Sequence, residues 1–222
     1  MPTVLVIGAS RGIGLAFVRQ YRADGARVIA TARDADGLAR LRELGAEPLR
    51  LDVADPASVS GLAWPLDGEK IDVALYVAGV YPEGNALSPP TREVFDQAMH
   101  TNVLGAMQAL PQVAPLVEAA QGRFAFLTSG MAQIGTVGSS DAWIYRASKA
   151  ALNMAVAAAQ HDYPQAILVA LCPGWVRTDM GGPSAPLTVE QSVAAMRATL
   201  AGLTPRQRGA YLHHDGRPYE GW

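Results

Sequence analysis

Short apolar runs alternate along this chain with longer segments whose apolar residues recur at three- and four-residue intervals. TVLVI (3–7), ARVIAT (26–31), EPLRLDV (47–53), KIDVALYVAG (70–79), RFAFLTS (123–129) and QAILVALCPG (165–174) have the length and aliphatic content of strands. Between them RGIGLAFVRQYRADG (11–25), ADGLARLREL (35–44), residues 91–120, AWIYRASKAALNMAVAAAQHD (142–162) and residues 188–202 have helical spacing. Gly25 and Gly45 stop the first two helices, and Asp55-Pro56 opens a short one. Pro111 and Pro115 predict a bend in 91–120. GAYLHHDG (209–216) reads as a last edge strand. Strands that alternate with helices pair in parallel and are covered on both faces, so the fold class is α/β with a doubly wound sheet. No repeat, low-complexity tract or linker interrupts the pattern, and residues 1–222 read as a single domain. The loosest stretch, GGPSAPLT (181–188), is a loop near a ligand or a surface connection.

Composition narrows the class of partner. Half the residues are apolar and the formal charge is −2, which points to no nucleic acid and no membrane surface. Cys172 is the one cysteine, so no internal disulfide forms, as suits a reducing compartment. MPTVLVIGAS lacks the basic start and long apolar run of a signal peptide. No apolar run approaches the roughly 20 residues of a membrane span. A cytoplasmic protein is expected.

The first chemical signal follows the first strand. IGASRGIG (7–14) places Gly8, Gly12 and Gly14 in a G-x-x-x-G-x-G turn that enters a helix. Glycine lets a phosphate approach the backbone, and the helix start offers unpaired N–H groups to the anion. Dinucleotide folds often carry an acid at the tip of strand two to hold a ribose 2′-hydroxyl. TAR (31–33) has Arg33 there instead, and Arg11 lies in the glycine turn. Two guanidiniums suit a 2′-phosphate and favour NADP(H) over NAD(H), although Asp34 follows at once.

The second signal is a lysine in a chain that prefers arginine. Lys70 and Lys149 stand beside sixteen arginines, and Lys149 lies four residues after Tyr145. On a helix the two share a face. A nearby ammonium favours a phenolate, and a compact lysine reaches ribose hydroxyls that a planar arginine does not. Ser129 ends strand five at the carboxyl edge of the sheet, where it can bond a substrate carbonyl. Asn102 is a polar residue inside TNVLGAM, placed to hold a water, bend the helix or face solvent.

With these residues in place the chain resembles the short-chain dehydrogenase/reductase family over almost its whole length. GASRGIG (8–14), Asp52-Val53, Ala78-Gly79, Asn102, Ser129, Tyr145-x-x-x-Lys149 and PGWVRTD (173–179) occur in the family's order. The 15 residues between Ser129 and Tyr145, the PGWVRTDMGG segment and the Trp222 ending are similar to the C-factor and sniffer-like carbonyl reductase branch. The resemblance implies a Rossmann-like domain and an NADP(H)-dependent carbonyl reductase or alcohol dehydrogenase. Tyr145 is then the general acid, Lys149 lowers its pKa and binds the nicotinamide ribose, Ser129 polarises the carbonyl, and Asn102 supports a water relay. Gly8, Ser10, Arg11, Gly12, Ile13 and Gly14 cradle the cofactor, with Arg33 at the 2′-phosphate and Asp52, Val53, Ala78 and Gly79 along the adenosine side. Pro173, Gly174, Val176 and Thr178 border the nicotinamide. The family also implies a small-molecule carbonyl or alcohol partner and a homodimer or homotetramer packed through the alanine-rich helical faces. The alternative function is a cofactor-bound signalling or scaffolding protein of the C-factor type, with little catalysis.

Some positions depart from the family or stay bland. Tyr76-Val77 stand where the family has two asparagines, so a side-chain bond that steadies the sheet is missing. A short lid after strand six suggests a small or exposed substrate. His213 and His214 point to opposite faces of a strand, so no metal site is expected. Cys172 reads as a core thiol. Tyr81, Trp143, Trp175 and Met180 either line a substrate pocket or pack ordinarily.

Overall fold

The computed structural model describes residues 1–222. Seven strands, β1 Thr3–Ile7, β2 Arg27–Ala32, β3 Glu47–Arg50, β4 Val73–Tyr76, β5 Arg123–Leu127, β6 Ile167–Cys172 and β7 Tyr211–His213, form one parallel sheet. Their order is β3-β2-β1-β4-β5-β6-β7. The chain winds outward from β1 in one direction and then restarts at β4 on its other side. That reversal opens a crevice between the carboxyl ends of β1 and β4, the usual place for a ligand in such sheets.

The helices are α1 Gly12–Ala23, α2 Ala35–Glu43, α3 Pro56–Ser60, α4 Arg92–Met99, α5 Gly105–Ala119, α6 Trp143–Ala159 and α7 Val189–Gly202. Strand side chains alternate between the sheet faces, and the buried residues sort accordingly. Leu5, Ile7, Phe124, Phe126, Leu168 and Ala170 join one core with residues of α5 and α6. Val4, Val6, Ala125, Leu127, Val169 and Leu171 join the other with residues of α1 and α7. Continuous aliphatic runs are what a sheet covered on both sides requires.

The helix ends follow local chemistry. Asp34 and Thr188 cap α2 and α7 with their side chains, and Thr188 shares a reciprocal box with Gln191. Gly25 and Gly45 follow α1 and α2 with φ of +80° and +73°, a region that disfavours other residues.

Several boundaries differ from the sequence reading. The third and fourth strands are shorter than 47–53 and 70–79, because 51–53 and 77–79 leave the sheet to line the crevice. The helical stretch 91–120 does not break at its prolines. Pro111 and Pro115 lie inside α5, four residues apart on its exposed face, where water can solvate the carbonyls they free. The irregularity comes earlier, as a π-helical turn at His100–Leu104. Val94, Phe95, Leu104, Met107 and Met154 stay largely exposed along α4, the π-helical turn, α5 and α6.

Candidate active site

The candidate site residues lie in the segments that follow the carboxyl ends of the strands or on helices packed against them. The glycine turn comes first. A Cβ on Gly8, whose φ is +88°, would stand 2.6 Å from the Ala78 backbone nitrogen. A Cβ on Gly14 would stand 2.2 Å from the Gly8 carbonyl oxygen. The turn is therefore packed backbone against backbone. Arg11, the residue before α1, makes no side-chain cap, which leaves the first N–H groups of Gly12, Ile13 and Gly14 open. An uncapped helix start with no side chain in front of it fits a pyrophosphate.

The basic residues divide. Arg33 is exposed just beyond β2, and Asp34 is drawn back to the α2 start by the Gly37 N–H at 2.7 Å. The Arg40 guanidinium donates to the Ser10 carbonyl on the same side. Sequence reading missed Arg40, because only the fold brings α2 beside a turn thirty residues away. Arg11 instead forms an exposed ion pair with Asp179 at 2.7 Å, bridging the glycine turn and the loop after β6.

Asp52 and Val53 follow β3 along the crevice, and the Asp52 carboxylate accepts from the Ala54 N–H. Ala78 and Gly79 follow β4. Pro173 and Gly174 follow β6, and Val176 is buried beyond them. Thr178 accepts from the Gly181 N–H and faces Gly12 across the crevice.

Asn102 sits in the π-helical turn and is fully buried. Its Oδ1 accepts from the Val80 N–H at 2.8 Å, and its Nδ2 donates to the Val80 carbonyl and to Ser148 Oγ, both at 2.9 Å. The amide is thus fully engaged in clamping the strand-four loop to α6. The turn that holds it is steadied by Tyr76, whose hydroxyl donates to the Thr101 carbonyl at 2.8 Å. Gly105 makes room, since a Cβ there would stand 2.7 Å from the Tyr76 hydroxyl.

Tyr145 and Lys149 lie on the buried face of α6, 7 % and 4 % exposed. Lys149 Nζ donates to the Leu127 carbonyl at 2.8 Å and stands 5.8 Å from the Tyr145 ring centre. The Tyr81 ring lies 4.7 Å from that of Tyr145. Ser129 accepts from the Met131 N–H at 3.1 Å, and its hydroxyl is close enough to Tyr145 to pull the phenol's ionisation downward. Burial outweighs that pull and raises Tyr145 to about 12. Burial also lowers Lys149 to about 8. In the protein alone, then, the lysine does not produce the lowered phenol pKa expected from the sequence. The phenol is fully protonated at neutral pH.

These shifts act on stability in opposite senses. A lysine whose proton is lost more easily when folded leaves the unfolded chain with more protons between pH 8 and 10.5, so its contribution rises with pH there. The raised Tyr145 stabilises below pH 10 and loses that contribution as pH climbs toward 12. Relative to Lys149→Met, which keeps Tyr145, the native chain should gain ~2–3 kcal/mol between pH 7 and 10. Urea unfolding of both proteins across that range measures it. Parallel curves would contradict the buried ammonium.

The family model described as short chain dehydrogenase matches residues 2–186. The chain is 31% identical over 226 residues to 1-hydroxy-2-glutathionyl-2-methyl-3-butene dehydrogenase of Rhodococcus sp. (strain AD45), covering 97% of this chain and 98% of that one. A short-chain dehydrogenase/reductase from Burkholderia multivorans with bound NADP superimposes with a TM-score of 0.87 at 30% identity, over 100% of this chain and 99% of that one. The carbonyl reductase Sniffer of D. melanogaster gives 0.92 at 26% identity over the full length of both.

Proposed function

The chain belongs to the short chain dehydrogenase family of oxidoreductases, and on that premise we propose that it is an NADPH-dependent carbonyl reductase. The observation that carries this reading is the buried pair of Tyr145 and Lys149, one helical turn apart on α6, with Ser129 at the carboxyl end of β5. NADPH, held by the glycine turn of Gly8, Gly12 and Gly14, would supply the hydride. Ser129 and Tyr145 donate to the carbonyl oxygen and offset the charge that grows on it. Tyr145 then gives that oxygen its proton, and the product is an alcohol. A phenol raised to about 12 is in its protonated form at neutral pH, the form from which a reduction starts, while burial makes it a weaker acid than a free tyrosine. Lys149 keeps positive charge near the phenolate that is left, and would help to hold the nicotinamide ribose.

Arg33 and Arg40 face the side where a 2′-phosphate would lie, and the NADP bound to the Burkholderia protein supports that cofactor. Replacing either by Ala is expected to weaken NADPH about tenfold and to leave NADH unchanged, since charge-assisted bonds to a phosphate are lost. Fluorescence titration with both cofactors measures this, and equal losses for the two would remove the 2′-phosphate assignment. The substrate side is a recess of about 270 Å³ lined by Tyr81, Glu83, Gly84, Asn85, Asp141 and Ala142. The loop after β6 folds back on itself through Arg177 N–H to the Leu187 carbonyl, which leaves a small or partly exposed carbonyl compound the best fit.

A further inference from the structure

Resting on this reading, we propose that Tyr211 is a positioning residue for Ser129, held in place by a clasp that the last residues of the chain close over it. Tyr211 stands on the edge strand β7 and is 4 % exposed. Its hydroxyl donates to the backbone carbonyl of Ser129 at 2.5 Å, across 82 residues of sequence. Ser129 itself lies just beyond β5, in an extended conformation that ends at a short 3-10 turn, Gly130–Ala132. Within that turn its carbonyl accepts from the Ala132 N–H at 2.9 Å, and the Tyr211 hydroxyl is the second donor to it, the one that ties the serine peptide to the edge strand.

The clasp then fixes Tyr211. The Tyr219 ring stacks on it at 3.9 Å and 7°, and His213 stacks on the far face of Tyr219 at 3.6 Å. Trp222 lies 5.9 Å from Tyr211. Hydrogen bonds seat the tail: Tyr219 N–H to the Tyr211 carbonyl, Ile134 N–H to the Trp222 carbonyl, and the Gln133 side-chain Nε2 to the Glu220 carbonyl. The tail therefore holds both Tyr211 and the turn that follows Ser129. Gly130 is part of the same fit, because a Cβ there would stand 2.8 Å from the Tyr219 hydroxyl. Its N–H donates to Cys172 Sγ at 3.1 Å, which also accepts from the Gly174 N–H at 3.4 Å, joining the serine side of the site to the loop after β6. The Asn153 amide, 2 % exposed and without a bonded partner, lies beside the Tyr211 hydroxyl. A wholly aromatic role for residue 211 would not need the hydroxyl in so polar a place.

The test uses Tyr211→Phe, which keeps the stack and deletes only the hydroxyl. We expect kcat to fall about tenfold while the NADPH Kd stays unchanged, as for loss of one oriented hydrogen bond near the reacting centre. The double variant Ser129→Ala/Tyr211→Phe should be no slower than Ser129→Ala alone, because Tyr211 acts through Ser129. A readout independent of turnover is the Tyr145 Cζ resonance in protein labelled with ring-13C tyrosine, assigned by its absence in Tyr145→Phe. It should move in Tyr211→Phe in the same direction as in Ser129→Ala. The groups facing Tyr145 in that comparison are Ser129, Tyr81, Lys149, Cys172 and Tyr211. Wild-type kcat in Tyr211→Phe, additive losses in the double variant, or loss of NADPH binding together with turnover would each overturn the assignment. Full activity in Ser129→Ala would instead overturn the proposed function from which it starts.

Discussion

Tyr145→Phe is expected to lower kcat for carbonyl reduction about a thousandfold, in the range general acid catalysis contributes, while NADPH affinity stays within about twofold. The change removes one hydroxyl. Ring contacts with Tyr81 at 4.7 Å and the position of Lys149 over the ring remain. Nothing near by can replace the proton. Ser129 is an alcohol with no acid behind it, and Lys149 Nζ is turned to the Leu127 carbonyl. Burial of the phenol costs nothing in the variant, so the fold should be as stable as the native one or slightly more so. A thermal melt separates a catalytic loss from an unfolded protein. A loss of NADPH binding equal to the loss of kcat would place Tyr145 in cofactor binding rather than in proton transfer.

Gly14→Ala is expected to remove cofactor binding and to cost stability together. The added methyl meets the Gly8 carbonyl at 2.2 Å and the Ala9 Cα at 2.9 Å. Both are backbone, so no side chain can rotate away, and α1 must shift off the turn. Overpacking of this kind typically costs about 1–3 kcal/mol. In a chain of this length that is a fall of roughly 3–10 °C in Tm. The same shift carries the open N–H groups of 12–14 away from the pyrophosphate, and NADPH affinity should drop more than about tenfold. Differential scanning with and without NADPH reads both effects. A variant that melts normally and is still stabilised by NADPH would contradict the close packing of the turn.

Most of the layout was legible because local chemistry and global topology agree. Short aliphatic runs bounded by turn residues and alternating with helical segments read as strands buried on both sides. Gly25, Gly45, Thr188 and Asp55 mark ends through their own backbone or side-chain preferences. The reading failed where a residue's role depends on a distant segment. The strand-like sequences of 51–53 and 77–79 are diverted because the crevice needs them outside the sheet. Pro111 and Pro115 predicted a bend, and α5 runs through both with the two prolines exposed on one face. The π-helical turn at Asn102 has no local signature, and it takes Tyr76 from β4 to hold it. Arg40 and Tyr211 reach the site only through the fold, over sequence separations of 30 and 82 residues. The Tyr145–Lys149 pair was visible from its spacing. Its electrostatics were not, since burial decides both shifts and burial is a property of the folded chain.

Loss of NADPH absorbance with a panel of aldehydes, ketones and quinones, run beside NADH, decides whether this chain reduces carbonyls. Turnover on at least one carbonyl compound is expected, faster with NADPH than with NADH. NADPH bound tightly with no turnover on any of them would contradict it, and would favour a cofactor-bound signalling or scaffolding protein.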